Sequence, residues 1–155
     1  METMYMNNLQ LWKEKYKRGK GVNLDKISTI ESRYSINYPN AYKEFLAMAG
    51  IYCAAIPHGS HRFEYADENQ LRAKELLNQY KLNHLIQKPF WVIATDSGAF
   101  WYFYLDDGDN PPVYRLDCEF YGDMDDIYTF GPVAESFQKW VEKAIDFYEN
   151  DPENK

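Results

Sequence analysis

Residues 105–126, LDDGDNPPVYRLDCEFYGDMDD, hold eight of the chain's 24 acids and one of its 17 Lys and Arg residues, Arg115. The acids are Asp106, Asp107, Asp109, Asp117, Glu119, Asp123, Asp125 and Asp126. Residues of this kind hold a divalent cation, support metal-assisted hydrolysis, or present negative charge to another protein. A calcium loop of EF-hand type fails on spacing. Counted from Asp106, the sixth position is Pro111, where the sharp turn needs glycine, and the twelfth is Asp117 rather than Glu. Counted from Asp107, the fifth position is Pro111 and the twelfth is Cys118. A two-metal hydrolase draws carboxylates from several elements, usually with His or Lys beside them, whereas these acids share one loop-rich stretch.

Other reactive side chains fit their structural roles better. His58 and His61 form an H-x-x-H pair in HGSH, but no Cys or following Glu completes a zinc pattern, and the pair reads as a turn with two exposed imidazoles. His84 stands apart from both. Cys53 sits in an apolar run, where an inert buried thiol is expected. Cys118 lies among acids that raise a thiol's pKa and make it a poorer nucleophile. Ser97 in DSGA lacks the G-x-S-x-G elbow, and the chain has no glycine-rich phosphate loop.

The charge is unevenly spread. Outside residues 106–126 the chain has 16 acids and 16 bases, so the acidic stretch carries the whole net charge of −7. The bases cluster near the N-terminus, at Lys13, Lys15, Lys17, Arg18 and Lys20. Focused negative charge repels nucleic acid and attracts basic partners, although a solubilising loop would also be acidic. The aromatic run 90–104 could stack bases, but residues 89–105 contain no Lys or Arg, and aromatics of a central strand usually belong to the core.

Positioning these residues falls to a chain of 155 residues, 45% apolar and 17% aromatic, which suits one globular domain. No apolar run is long enough for a membrane span, and the N-terminus lacks a secretory pattern. A cytoplasmic protein with two free thiols is expected. Leu9, Trp12 and Tyr16 predict an N-terminal helix within residues 1–20. Asn23 caps a helix over 24–34 with Leu24, Ile27, Ile30 and Tyr34 inward. Pro39 and Gly50 bracket a third helix with Tyr42, Phe45, Leu46 and Ala49 inward. Residues 51–57 read as a short strand, as does FEY at 63–65, and Asp67 caps a helix to about Tyr80. Residues 89–95 and 99–105 form a hairpin about an Asp-Ser-Gly turn, with Phe100, Tyr102 and Tyr104 on one face and Trp101, Phe103 and Leu105 on the other. This reads as a central strand with a helix layer over one face. Residues 113–117 resume the sheet. A closing helix starts at Pro132 and buries Phe137, Trp140, Val141, Ala144, Ile145 and Tyr148. The class is α+β: a mostly antiparallel central sheet flanked by N-terminal helices and a closing C-terminal helix. The domain core spans about 24–148, with 149–155 as a tail.

Three segments give this order a familiar look. IESRYSINYPNAYKEFLAMAG (30–50) is similar to an opening helix pair joined by a Tyr-Pro link. PFWVIATDSGAFWYFYLDDGDNPPVYRLD (89–117) is similar to a central hairpin with an acidic loop and a PVY return strand. VAESFQKWVEKAI (133–145) is similar to a final SFxxW helix. Together they resemble the SUKH superfamily, which includes the yeast cell-wall-synthesis regulator and many bacterial immunity proteins. The hairpin departs from the usual pattern, with Ala99, Phe100 and Trp101 after Gly98.

The resemblance implies a non-catalytic binding domain with no cofactor and no metal, acting as an antidote that blocks a cognate polymorphic toxin, such as a basic nuclease. The alternatives are a regulatory scaffold module and a metal-dependent hydrolase using the acidic loop. The expected partner surface is Asp106, Asp107, Asp109, Asp123, Asp125 and Asp126, with Tyr121 as an aromatic anchor. The partner is a basic toxin protein, not nucleic acid or membrane, and the chain acts as a monomer or homodimer.

Overall fold

The computed structural model describes residues 3–122 and 129–154. In chain order it forms α1 (Asn7–Tyr16), β1 (Gly19–Lys20), α2 (Leu24–Tyr34), α3 (Asn40–Ala49), β2 (Tyr52–Cys53), α4 (Ala66–Gln79), β3 (Phe90–Asp96), β4 (Ala99–Tyr104), β5 (Val113–Asp117), β6 (Phe130–Ala134) and α5 (Phe137–Asn150). β1 and β2 pair as a small antiparallel ladder, and β3-β4-β5-β6 form an antiparallel meander in sequence order. The class is α+β, as the sequence predicts. No helix among the described residues is long and apolar enough to cross a membrane.

Alternation in β4 sends its aromatics to two cores. Trp101 and Phe103 join Trp91, Val113 and the buried faces of α1, α2, α3 and α5. Phe100 and Tyr102 join Val92, Leu116 and the Ala73, Leu76 and Leu77 stripe of α4. Helices thus cover both sheet faces, not the single face expected from sequence. Phe100, Tyr102 and Phe103 are fully buried, each worth about 1.5–3 kcal/mol of apolar transfer. β3 is an edge strand, yet its outward backbone groups are occupied. The Gln70 amide donates to the Val92 carbonyl and accepts from the Val92 N–H, both at 2.9 Å. The Ser60 hydroxyl does the same for Thr95, at 2.7 and 2.9 Å. Such pairing closes an edge to strand addition.

The structure revises several local expectations. The strand expected over 51–57 shrinks to Tyr52–Cys53, because the chain turns at Ile56, whose N–H bonds back to the Cys53 carbonyl at 3.1 Å. FEY is a 3-10 turn (Phe63–Tyr65), its Tyr65 N–H bonded to the Arg62 carbonyl at 2.9 Å. Asp67 does not cap α4; its carboxylate takes the Arg33 guanidinium and the Tyr34 hydroxyl. Leu24 is exposed, and Ile27 alone of its predicted stripe is fully buried. The helix expected from Pro132 starts at Phe137, where the Ser136 hydroxyl accepts the Lys139 N–H at 3.1 Å. Residues 130–134 instead form β6, an edge strand on which a proline without an N–H is tolerated.

Candidate functional site

The acidic loop leaves β4 at Tyr104 and enters β5 at Val113. Gly108 takes a φ of 82°, a left-handed conformation that favours glycine. The middle of the loop is fixed by helix N-termini, whose first N–H groups have no intrahelical acceptor. The Asp109 carbonyl accepts the Ala41 N–H at 2.9 Å, in the first turn of α3. The Asn110 side-chain oxygen accepts the Gln138 N–H at 2.9 Å, in the first turn of α5. Part of the loop's purpose is therefore structural: it ties two helices to the end of the sheet.

Its carboxylates face outward. Asp106 and Asp109 are exposed and Asp107 is half-buried. Asp106 and Asp107 share the Lys88 ammonium, at 3.5 and 3.8 Å. Lys88 also lies 4.4 Å from the centre of the Tyr104 ring. Burial, and then the Asp107 carboxylate, hold the Tyr114 phenol above its usual pKa. Sequence reading missed Lys88, Tyr104 and Tyr114 as neighbours of the loop. The alternation of β4 already placed Tyr104 on the Tyr102 face, but only the register Tyr102↔Tyr114 brings β5 alongside.

The remaining predicted residues fall elsewhere. The register Ala99↔Asp117 puts Asp117 and the chain after it at the opposite end of β4 from Asp106, Asp107 and Asp109. The five residue steps between those ends span about 17 Å. Asp117 pairs with Arg115 at 3.3 Å. Tyr121 is 37% exposed and packs edge-on to Phe130 at 6.2 Å. Asp123, Asp125 and Asp126 lie outside the described residues. The loop thus unites Asp106, Asp107 and Asp109, while Tyr121 stands apart from them.

An aromatic strip links the two ends. Tyr104 and Tyr114 meet at 5.2 Å, and Tyr114 stacks on buried Tyr102 at 5.5 Å. Phe130 pairs with Leu116 in the register and continues the same face towards Tyr121. Because α4 lies over β3, Tyr104, Tyr114 and Phe130 remain half-exposed.

A family model described as SMI1 / KNR4 family (SUKH-1) matches residues 21–143. The chain belongs to the SUKH-1 family. A comparison with curated proteins found no match. The SUKH-1 match opens just before α2 and closes within α5, so it contains the acidic loop and the whole four-stranded sheet. α1 precedes it, and its Leu9 and Trp12, with Met6 just before the helix, pack into the same core.

The other candidates within the SUKH-1 frame are buried or engaged. The two imidazoles are not exposed, contrary to the sequence reading. His61 is 5% exposed, and its Nδ1–H donates to the His58 carbonyl at 2.7 Å. Its Nε2 has no hydrogen-bond partner among the described residues. His58 stacks on Trp101 at 4.1 Å, and the Arg115 guanidinium lies 5.4 Å from the same indole. Burial holds both histidines below their usual pKa. The rings do not converge on a shared ligand position, because loop packing takes one inward and the other onto the indole. Cys53 and Cys118 are buried free thiols. Burial, and then Asp117, push Cys118 up to about 11. Among the described residues no three of His, Cys, Asp and Glu cluster as a metal site.

Proposed function

We propose that this SUKH-1 domain is an immunity-type binding protein that neutralises a cognate toxin by direct contact, with no catalysis of its own. The observation that carries the reading is the half-covered aromatic face of the sheet, bounded at one end by Asp106 and Asp107. An apolar centre with a charged rim is the composition of a protein-binding patch. The net charge of −7 favours a basic partner. Asp106, Asp107 and Asp109 would steer the toxin, and Tyr104, Tyr114 and Tyr121 would supply contact area. The roughly 17 Å between the two ends fits within a standard interface of about 800 Å² per partner. The proposed setting is the cytoplasm, where the antidote meets its toxin before export.

The test is binding kinetics against a basic toxin protein, sought first in the neighbouring upstream gene. Replacing Asp106, Asp107 and Asp109 together by Asn should slow association about 3–10-fold at low salt, with little change in dissociation. The difference should shrink at high salt. The Asp109 contact to α3 comes from its backbone, so the variant should keep the wild-type melting temperature. Association that ignores both salt and substitution would remove the three residues from the surface. Binding to signalling proteins or peptides in place of a toxin would favour the scaffold role.

A further inference from the structure

A groove of about 740 Å³ opens on the other side of the sheet, between α5 and the segment after β2. Trp101, Trp140, Ala144 and Phe147 give it an apolar lining. Phe147 is 81% exposed, the largest exposure of any large apolar side chain among the described residues. A solvated phenylalanine beside an apolar groove is a feature of a surface that receives another molecule. The volume lies within the range of roughly 300–1,000 Å³ typical of ligand clefts.

Charge identifies the occupant. Arg18 and Lys143 line the groove, and Asp151 is the lone acid in its lining. Each cation is oriented by a neutral acceptor. Arg18 donates to the Tyr148 hydroxyl at 2.7 Å, and Lys143 donates to the Val133 carbonyl at 2.8 Å. Neither makes an ion pair among the described residues. His58 adds no fixed charge near neutral pH, because burial favours its neutral form.

We infer that this groove is a second docking site, for a partner segment that carries large apolar side chains flanked by carboxylates. The apolar lining accepts the anchors, and the Arg18 and Lys143 rim pairs with the flanking acids. On a protein with a net charge of −7, a cation-rimmed groove selects a ligand of opposite character to the one proposed for the acidic loop. The inference does not rest on the toxin reading, since the groove uses the helix-covered face of the sheet.

The test uses a short acidic peptide carrying two phenylalanines and no tryptophan, and a matched peptide with lysine for every acid. Trp101 and Trp140 report occupancy by fluorescence, and backbone NMR shifts locate it. The acidic peptide should give saturable changes centred on α5 and the segment after β2, and the lysine peptide none. Lys143→Glu should weaken binding about 10-fold, and Phe147→Ala about 3–10-fold, consistent with loss of a rim charge and of an apolar anchor contact. Both side chains are exposed, so both variants should fold. Equal binding of the two peptides, binding insensitive to both variants, or no saturable binding would overturn the inference. So would a peptide-free dimer, seen by light scattering, that Phe147→Glu dissolves, since a second copy would then own the groove.

Discussion

His61 shows how one side chain changes meaning between sequence and structure. Its Nδ1–H serves the His58 carbonyl, and its Nε2 faces the core beside Phe45. Burial, the largest cause, depresses its pKa below the ordinary 6.5, and that of His58 likewise. The unfolded chain therefore binds more protons than the native one in mildly acidic solution. The stability from neutral histidines is present above about pH 6.5 and is lost as pH falls through the folded values. Thermal melts should show Tm dropping below that pH, and His61→Asn, which keeps a donor near the Nδ1 position, should flatten the slope. Gln70 gives a second prediction at this scale. Gln70→Ala orphans both backbone groups of Val92, at a cost of about 1–3 kcal/mol, and uncovers the β3 edge. Urea melts should show the loss, and light scattering should show concentration-dependent association.

Elements meet tightly at Gly21 and at the acidic loop. A Cβ on Gly21 would lie 1.7 Å from the Ala47 carbonyl oxygen, where the chain crosses α3. Val22 donates to the Leu46 carbonyl at 2.8 Å in the same crossing. Helix backbone cannot retreat as a side chain can, so Gly21→Ala should cost about 4 kcal/mol or more and show as a large fall in Tm. The other point is the acidic loop. Asn110→Ala removes the acceptor for an orphan N–H of α5 and should cost about 0.5–2 kcal/mol in a denaturant melt. By contrast, Asp106→Asn should be close to neutral for folding, since among the described residues its carboxylate pairs with an exposed lysine. The two substitutions separate the loop's structural residue from its surface charge.

At the scale of the whole molecule, two surfaces of opposite character lie on opposite faces of one sheet. The acid-bounded aromatic strip is open because α4 covers β3 and stops short of β5 and β6. The groove is open because α5 and the segment after β2 leave Trp140 and Phe147 uncovered between them, with Trp101 buried in the lining. A binder with both surfaces could hold two segments of one partner, or two partners at once. The kinetic and peptide experiments address the surfaces separately, so each can fail alone.

Local signals in the sequence were enough for a helix before Gly19, a helix over about 24–34, a helix between Pro39 and Gly50, a helix running to about Tyr80, the hairpin of 89–95 and 99–105 and the α+β class. Periodicity and caps are local, and residues such as Asn23 and Gly50 declare them without reference to the rest of the chain. The sequence also supplied the likeness to the SUKH superfamily, through patterns of apolar and turn residues. It could not give β6, because FGPVA has neither alternation nor an N–H at Pro132 and becomes a strand only beside β5. Nor could it show that Asp106 and Tyr121 lie at opposite ends of β4, that Lys88 sits between two loop carboxylates, or that His61 is buried. Those facts depend on register and on contacts between residues far apart in the chain. The tertiary structure alone decided them, since the area a side chain exposes is set by what packs beside it and not by its neighbours in sequence.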